Sequence, residues 1–168
     1  MGEGKNIIAS VILLYMPEED AFFLLCAIVE DLLPNYFTQS MVGSLLDLEV
    51  MDDLVQKHLP QVHEHLLTTI GGVSTIAVPW FMCLFIHCLP WKSALRAIDL
   101  FLAQGSRALF VVGLAVLKTC EPQILASDSE QILNFLKESI VKSIDSTDLM
   151  KNVSDIPVEV QDKIRHGR

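Results

Sequence analysis

The sequence predicts an all-α fold made of many helices, each about 10–20 residues long. Apolar residues recur every three or four positions through most of the chain. Strand signals are poor, because apolar residues rarely alternate with polar ones and no Asn-Gly or Asp-Gly hairpin dipeptide occurs. Hydrophobic residues make up 51% and charged residues 20% of the 168 residues, which is enough apolar material for one globular core.

The N-terminal segment predicts two helices. Residues 5–15 form an apolar run typical of a largely buried helix. Pro17 can open the next helix, because a first turn does not use the amide hydrogen that proline lacks, and residues 18–20 place negative charge at the positive end of that helix. We expect this second helix to end at Leu33, before Pro34.

Residues 38–57 predict a third helix with one apolar side. The apolar side is expected to contain Met41, Leu45, Leu48, Met51 and Val55. The residues expected on its surface are Asp47, Asp52, Asp53 and Lys57. Pro60 interrupts the pattern, and residues 61–69 predict a short fourth helix.

An uncharged run extends over residues 65–91 and is long enough to span a bilayer. Pro79 splits this run near its middle, so two buried core helices joined by turns are the better interpretation. No transmembrane span is therefore expected, and a small polytopic membrane protein is kept as an alternative.

Pro79 and Pro90 each precede a tryptophan, and both are predicted to open helices.

The clearest amphipathic pattern covers residues 91–104. Its buried stripe is predicted to comprise Trp91, Leu95, Ile98 and Leu102, widened by Ala94 and Phe101. Its outer stripe comprises Lys92, Arg96, Asp99 and Ala103. Gly105 suits a C-terminal cap, and residues 106–118, apolar on nearly every side, predict a central buried helix.

Polarity rises after Thr119. Pro122 is predicted to open a short turn of helix, and Ser127 with Glu130 matches a capping box. The helix that follows is expected to bury Ile132, Leu136, Ile140 and Ile144, with Glu138 and Lys142 paired on its outer side. Residues 146–168 predict one or two short helices.

The net charge of −9 limits the classes of partner. No basic residue lies between Lys5 and Lys57. An acidic chain repels nucleic-acid phosphates and anionic lipids, so neither is an expected partner, whereas a basic protein surface would suit this charge.

No cofactor or metal is expected. The four cysteines lie in apolar stretches without a recognisable spacing, which predicts four reduced and buried core thiols. His58, His63 and His65 are close in sequence, but Pro60 interrupts the helix between them. We interpret them as surface or core-edge histidines rather than as metal ligands.

Five blocks of residues follow one another along the chain: Asn6-Ile7-Ile8-Ala9, residues 18–25, residues 59–66, residues 80–90, and Arg96-Ala97-Ile98-Asp99 with Phe101, Gly105 and residues 114–117. In this order the blocks resemble those of a TBC domain, the module that accelerates GTP hydrolysis on Rab proteins. The resemblance covers roughly residues 6–118. The chain departs from the family pattern at Phe23 and Ile98, where tryptophan is usual, and at Gln104, where glutamate is usual.

The resemblance implies a division of the chain and a partner. Residues 1–120 would form the C-terminal part of a Rab-GAP TBC domain, and residues 121–168 a helical C-terminal extension. A Rab-type small GTPase is the implied partner, in the cytoplasm or peripherally attached to endomembranes. The family-motif residues, structural or in contact with a partner, are Asn6, Trp80, Arg96, Asp99 and Gly105.

Arg96 and Asp99 share one helical face, three residues apart. The simpler interpretation is an ordinary ion pair, or a polar link buried between helices. The alternative interpretation is contact with a GTPase.

The family implies a two-finger mechanism. An arginine stabilises charge on the transferring phosphate and a glutamine orients the attacking water, in I-x-x-D-x-x-R and Y-x-Q motifs. Neither motif occurs in the 168 residues. Residues 162–165 have the D-x-x-R spacing, but Glu159 replaces the isoleucine. Backward extension of the register places Glu3 on the family's glutamine, and a carboxylate beside a phosphate is a poor substitute.

We therefore assign no catalytic residue and expect the chain alone to be inactive as a GTPase activator. The alternative is a non-catalytic module that binds a Rab or another partner. Helices that are apolar on every side must pack against neighbours. If the rest of the domain supplies some of those neighbours, this chain exposes apolar surface, and we then expect poor solubility or self-association.

Overall fold

The computed structural model describes residues 3–136 and 144–156, which contain helices and no strand, and this confirms the all-α prediction. In chain order the helices are α1 (Glu3–Leu13), α2 (Glu18–Ala27), α3 (Val42–His58), α4 (Pro60–Ile70), α5 (Ser74–Met82), α6 (Trp91–Gln104), α7 (Arg107–Leu125), α8 (Ser129–Asn134) and α9 (Ser146–Ser154). A π-helical turn, Ile28–Leu32, continues α2. The core forms around α7, against which α3, α4, α5, α6 and α9 pack.

The first two helices follow the predicted order. Pro17 precedes α2, and the π-helical turn carries the helical path to Leu33, as expected. The prediction that residues 5–15 are largely buried is wrong at their end, because Leu13, Leu14 and Tyr15 are exposed. The reason is that α1 ends at Leu13, so the two residues after it lie in a turn outside the packed part of the helix.

The buried face of α3 overlaps the predicted one only in part. Leu48, Met51 and Val55 are buried as expected, but Leu45 is exposed and Asp47 is buried. Both α4 and α5 pack on α3, and residues three and four apart on a helix share a face. Asp47 is buried where the Tyr36 hydroxyl donates a hydrogen bond to it, and Leu45 is left exposed.

The uncharged run forms two helices joined by a turn, as predicted. Pro60 is the first residue of α4, and Gly71 ends that helix in the left-handed region at φ 85°. The axes of α4 and α5 are bent by 98°. Pro79 lies inside α5 and does not open it, because the Val73 carbonyl already accepts the amides of Ile76 and Ala77 and starts the helix earlier.

The bounds of α6 match the prediction, and so do its exposed outer stripe and the burial of Ala94 and Phe101, but the predicted main buried stripe is wrong. The buried side chains are Ser93, Ala94, Ala97 and Phe101, whereas Trp91 and Leu102 are exposed and Leu95 and Ile98 are half-buried. Small side chains let two helices approach closely, so the alanine-containing face of α6 packs on α7. The stripe of larger apolar residues, from Trp91 to Leu102, therefore lies at the edge of the core and stays partly exposed.

The central helix α7 is buried on all sides over residues 108–117, as predicted. It continues through Pro122, so the predicted new turn there is wrong. Pro122 and Lys118 are both exposed, and the hydrogen bond that proline cannot make is therefore lost on the solvent side of the helix. Among the described residues, α7 is the one unbroken helix long and apolar enough to cross a membrane, and 67% of its apolar window is buried in the protein.

The start of α8 is displaced by one residue from the prediction. Asp128, not Ser127, caps the helix: its side chain accepts from the amide of Gln131, whose side chain accepts from the amide of Asp128. The buried residues on this side are Ile132, Leu136 and Ile144, as expected. Ile140, the Glu138–Lys142 pair and residues 157–168 lie outside the described residues.

Candidate functional site

The solvent side of α6 carries the two charged family-motif residues. Arg96 and Asp99 are both exposed, and they lie opposite the face that Ala97 and Phe101 pack into the core. Among the described residues, no ion pair joins Arg96 to Asp99. The expected ion pair or buried polar link is therefore wrong. Both charges face solvent from a helix with a fixed buried side.

A buried hydrogen bond holds α6 to the segment before α9. The Ser93 hydroxyl, which is 1% exposed, donates to the carbonyl of Ile144 over 3.3 Å. The next residue, Asp145, caps α9 by accepting from the amide of Thr147 at 2.7 Å. Hydrogen bonds from Thr147 lower the pKa of Asp145, with a smaller contribution from the nearby charge of Lys92. These contacts fix the orientation from which α6 presents its outer face.

Gly105 has a backbone role at the end of the same helix. Its φ of 69° and ψ of −155° lie in a region that is essentially restricted to glycine. Its amide donates to the Phe101 carbonyl at 2.7 Å and closes α6. A Cβ at this position would lie 3.9 Å from Leu32 Cδ2, so the requirement for glycine comes from the backbone and not from crowding.

The remaining two family-motif residues lie apart from α6. Trp80 is 3% exposed, and its ring centroid is 5.8 Å from that of Phe85, which places it in the core. Asn6 is exposed on α1, where its carbonyl accepts from the Ser10 hydroxyl at 2.7 Å. The five family-motif residues therefore do not form one site. Arg96, Asp99 and Gly105 belong to α6 and its C-terminal cap, whereas Trp80 lies in the core and Asn6 lies on the surface of α1.

The three neighbouring histidines lie at the edge of the core, as expected. His63 Nε2 is 3.1 Å from Asp52 Oδ2, and His65 Nε2 is 2.9 Å from the carbonyl of Ser127. His58 is half-buried at the end of α3. In the described part of the chain, no three His, Cys, Asp or Glu residues are arranged to hold a metal ion.

The cysteines are free but differ in burial. Cys88 and Cys120 are buried, whereas Cys26 and Cys83 are half-buried, so the prediction of four buried thiols is correct for two and wrong for two. Burial raises the pKa of Cys120 to about 12, and burial likewise raises the pKa of Cys88. The two buried thiols therefore stay protonated and unreactive at neutral pH.

One cavity was not apparent from the sequence. It has a volume of about 210 Å³ and is lined by His58, Leu59, Leu114, Lys118, Asp155 and Ile156. These residues come from the end of α3, the middle of α7 and the two residues after α9, so no local pattern could have indicated it. The volume is below the range of about 300–1,000 Å³ usual for small-molecule sites, and the cavity does not define a ligand.

The fold and the exposed residues of α6 together define a domain built from packed helices. The chain belongs to the Rab-GTPase-TBC domain family, whose model matches residues 3–125. This match confirms the resemblance derived from the five sequence blocks.

Among its relatives, the chain is 36% identical over 136 residues to the putative GTPase-activating protein AN11010 of Emericella nidulans, an alignment that covers 80% of the chain and 12% of that protein. It is 34% identical over 160 residues to TBC1 domain family member 10A of Mus musculus, covering 93% of the chain and 32% of the relative. The chain therefore spans about a third or less of the length of these relatives.

A solved structure agrees with the sequence relatives. The chain superposes on the crystal structure of the Chlamydomonas flagellar RabGAP TBC domain with a TM-score of 0.75 and 28% identity. The match covers 90% of this chain and 50% of the solved chain. The arrangement of helices described above is therefore that of part of a TBC domain.

Proposed function

We propose that residues 1–120 are the C-terminal part of a Rab-GAP TBC domain and that residues 121–168 extend it. The family match over residues 3–125 and the half-length superposition on a solved TBC domain support this division. Because α7 runs without a break to Leu125, the domain and the extension share one helix. The role is GTPase regulation in membrane trafficking, in the cytoplasm and peripherally at endomembranes.

The partner in this proposal is a Rab-type small GTPase, and α6 supplies part of the contact. The observation that carries this proposal is the exposed Arg96–Asp99 pair on a helix held on two sides by core packing and the Ser93 hydrogen bond. A guanidinium and a carboxylate that are not paired with each other can each bind an opposite charge on a partner. Trp80 and Gly105 maintain the helices behind this surface.

The 168-residue polypeptide is proposed not to accelerate hydrolysis by itself. TBC domains use an arginine and a glutamine at the nucleotide, and the motifs that carry them do not occur in these residues. Binding without catalysis is therefore the second candidate function, favoured by the exposed charged pair.

The test combines a binding and a rate measurement. GTP-loaded Rab proteins are titrated with the chain, with the variant R96A/D99A, and with the control variant E130A/K151A. The control also removes one exposed charge of each sign, from α8 and α9. We expect R96A/D99A to weaken binding about tenfold and the control to leave it unchanged.

Single-turnover GTP hydrolysis by the same Rab proteins separates catalysis from binding. We expect the rate to stay at its intrinsic value when the chain is added. Acceleration by about 10³-fold or more, the scale of an arginine finger, would overturn the proposed inactivity. Absence of binding to every Rab tested would overturn the proposed partner.

A further inference from the structure

Helix α2 is apolar on every side beyond its acidic first residues, yet it is buried at a single residue. Residues 21–27 are all apolar. Within α2 only Ala21 is buried, whereas Phe22 and Phe23 are 61% and 64% exposed and residues 24–27 are half-buried. A helix that is apolar all round is normally buried all round, as the middle of α7 is. The outer side of α2 therefore lacks the cover that its composition requires.

The uncovered surface continues from α2 across its connection to α1, the helix on which it packs. Leu13, Leu14 and Tyr15, at the end of α1 and just after it, are 51–69% exposed. We call these three residues, together with Phe22 and Phe23, the α1–α2 corner. Single exposed apolar residues are ordinary, but a cluster of five with three aromatic rings is typical of a surface that another element covers.

The helices beneath the α1–α2 corner are held in place without that cover. Ile12 of α1 and Ala21 of α2 are buried in the common core, and the Ala21 amide donates to the Pro17 carbonyl at 2.9 Å. The rings of Phe22 and Phe23 meet edge to face, with centroids 5.8 Å apart. The exposed rings therefore form an ordered surface, which loses less entropy on contact than a mobile one.

The comparison with the solved TBC domain indicates what covers this surface. Half of that solved chain lies outside the region that superposes on these residues. Elements of one domain bury their apolar faces against each other around a common core, so the other half needs an apolar surface to pack on. Among the described residues, the α1–α2 corner holds three of the four exposed aromatic side chains, Trp91 being the fourth.

We propose that the α1–α2 corner is the intradomain interface on which the remaining part of the TBC domain packs through an apolar face. This inference rests on the proposed assignment of residues 1–120 to one part of such a domain. When both parts lie in one polypeptide, the effective concentration of one for the other is on the order of mM, so apolar contact alone can hold them together. A separate protein would have to displace this linked segment.

The charge beside the α1–α2 corner disfavours two other occupants. Residues 18–20 are exposed and acidic in the first turn of α2, and no basic residue lies between Lys5 and Lys57. A second copy of the chain on the same surface would bring two acidic turns together. An anionic membrane would repel the same carboxylates. The remaining part of the domain has a different sequence and meets neither obstacle.

The test supplies the remaining part in the same polypeptide. The half of the Chlamydomonas flagellar RabGAP TBC domain that lies outside the superposition is fused before the 168-residue chain. Cys26 is the reporter, because it is half-buried and lies four and three residues after Phe22 and Phe23, on the same side of α2. Mass spectrometry measures the rate at which iodoacetamide alkylates Cys26. The protection factor is the rate in the unfused chain divided by the rate in the fusion with the same substitutions.

We expect a protection factor of about tenfold for the wild type, and of less than about twofold for F22A/F23A, because truncation of both rings removes the centre of the contact. The control L67A/L125A removes two exposed leucines from α4 and α7 and should keep the wild-type protection factor. Circular dichroism should show the same helix content in all three fusions, because the substituted side chains are exposed.

Equal alkylation of Cys26 in the wild-type chain and its fusion would overturn the proposal. A protection factor that F22A/F23A leaves unchanged, or that L67A/L125A lowers equally, would also overturn it. Light scattering that shows a dimer of both the chain and the fusion, lost in F22A/F23A, would assign the surface to a second copy instead. None of these measurements involves a Rab protein, so their failure is distinct from a failure of the R96A/D99A titration.

Discussion

The hydroxyl of Tyr36 donates a hydrogen bond of 2.5 Å to Oδ2 of Asp47 inside the protein. Tyr36 is fully buried and Asp47 is 6% exposed. The bond joins the loop after the π-helical turn to the second turn of α3. In that loop Asn35 and Met41 both adopt left-handed backbone conformations. A buried carboxylate needs such a donor, because an unpaired one would be expensive to desolvate.

Removal of this donor should destabilise the fold. We expect Tyr36→Phe to lower the free energy of unfolding by about 1.5–3 kcal/mol, the contribution of a hydrogen bond to a charged group. Urea denaturation measures the change. Tyr15→Phe is the control, because Tyr15 is 60% exposed, and it should shift stability by no more than about 0.5 kcal/mol. Equal effects of the two substitutions would contradict the structural role of the Tyr36 hydroxyl.

Gly105 should be required for its backbone conformation. Gly105→Ala is expected to cost on the order of 1–3 kcal/mol, because L-residues are disfavoured at φ 69° and ψ −155°. Gly71→Ala is the comparison, since Gly71 has φ 85° and ψ 11° and an added methyl group there would meet no other atom within 4 Å. An alanine in the ordinary left-handed region lowers the free energy of unfolding by about 1–2 kcal/mol. If Gly71→Ala lowers the thermal unfolding temperature more than Gly105→Ala does, the proposed requirement for glycine at position 105 is wrong.

The cap of α8 can be assigned by two neighbouring substitutions. Asp128→Ala removes the acceptor for the Gln131 amide and should cost about 0.5–2 kcal/mol. Ser127→Ala should have little effect, because the Ser127 hydroxyl donates to the Gln123 carbonyl of the preceding helix and not to α8. Amide hydrogen exchange in α8 is the measurement. Faster amide exchange in Ser127→Ala than in Asp128→Ala would show that Ser127 caps the helix, as the sequence predicted.

The buried thiols should make the protein sensitive to alkaline pH. A thiol whose pKa is raised by folding keeps its proton in the native state while the unfolded chain ionises. Stability is therefore unaffected below the ordinary thiol pKa of 9.0 and falls as the pH rises from there toward the raised pKa of about 12 for Cys120. The variant C88A/C120A should show a shallower loss of stability above about pH 9, toward pH 12, in urea denaturation.

Iodoacetamide provides a second measurement on the same thiols. At about pH 8.5, near the ordinary thiol pKa, we expect Cys26, which is half-buried, to react in the native protein. Cys88 and Cys120 should react only after unfolding. Mass spectrometry identifies the modified residues, and native modification of Cys120 would show that its burial does not protect it.

Local sequence features predicted several helix boundaries. Pro17, Pro60 and Pro90 each stand where a helix begins, and Gly105 stands where α6 ends, because these residues restrict or extend the backbone regardless of what surrounds them. The all-round apolar composition of residues 108–117 likewise identified the central helix. The five motif blocks identified the family.

Tertiary packing decided which faces of those helices are buried. The sequence placed Ala94 and Phe101 of α6 in the core correctly, but it also expected Trp91 and Leu102 to be buried, and both are exposed. The small Ser93 and Ala97 are buried instead, and small side chains allow close approach of neighbouring helices. Asp47 is buried because Tyr36 comes within hydrogen-bonding distance of it from another part of the chain. Helical periodicity specifies which residues share a face, but only the neighbouring helices determine which face is covered.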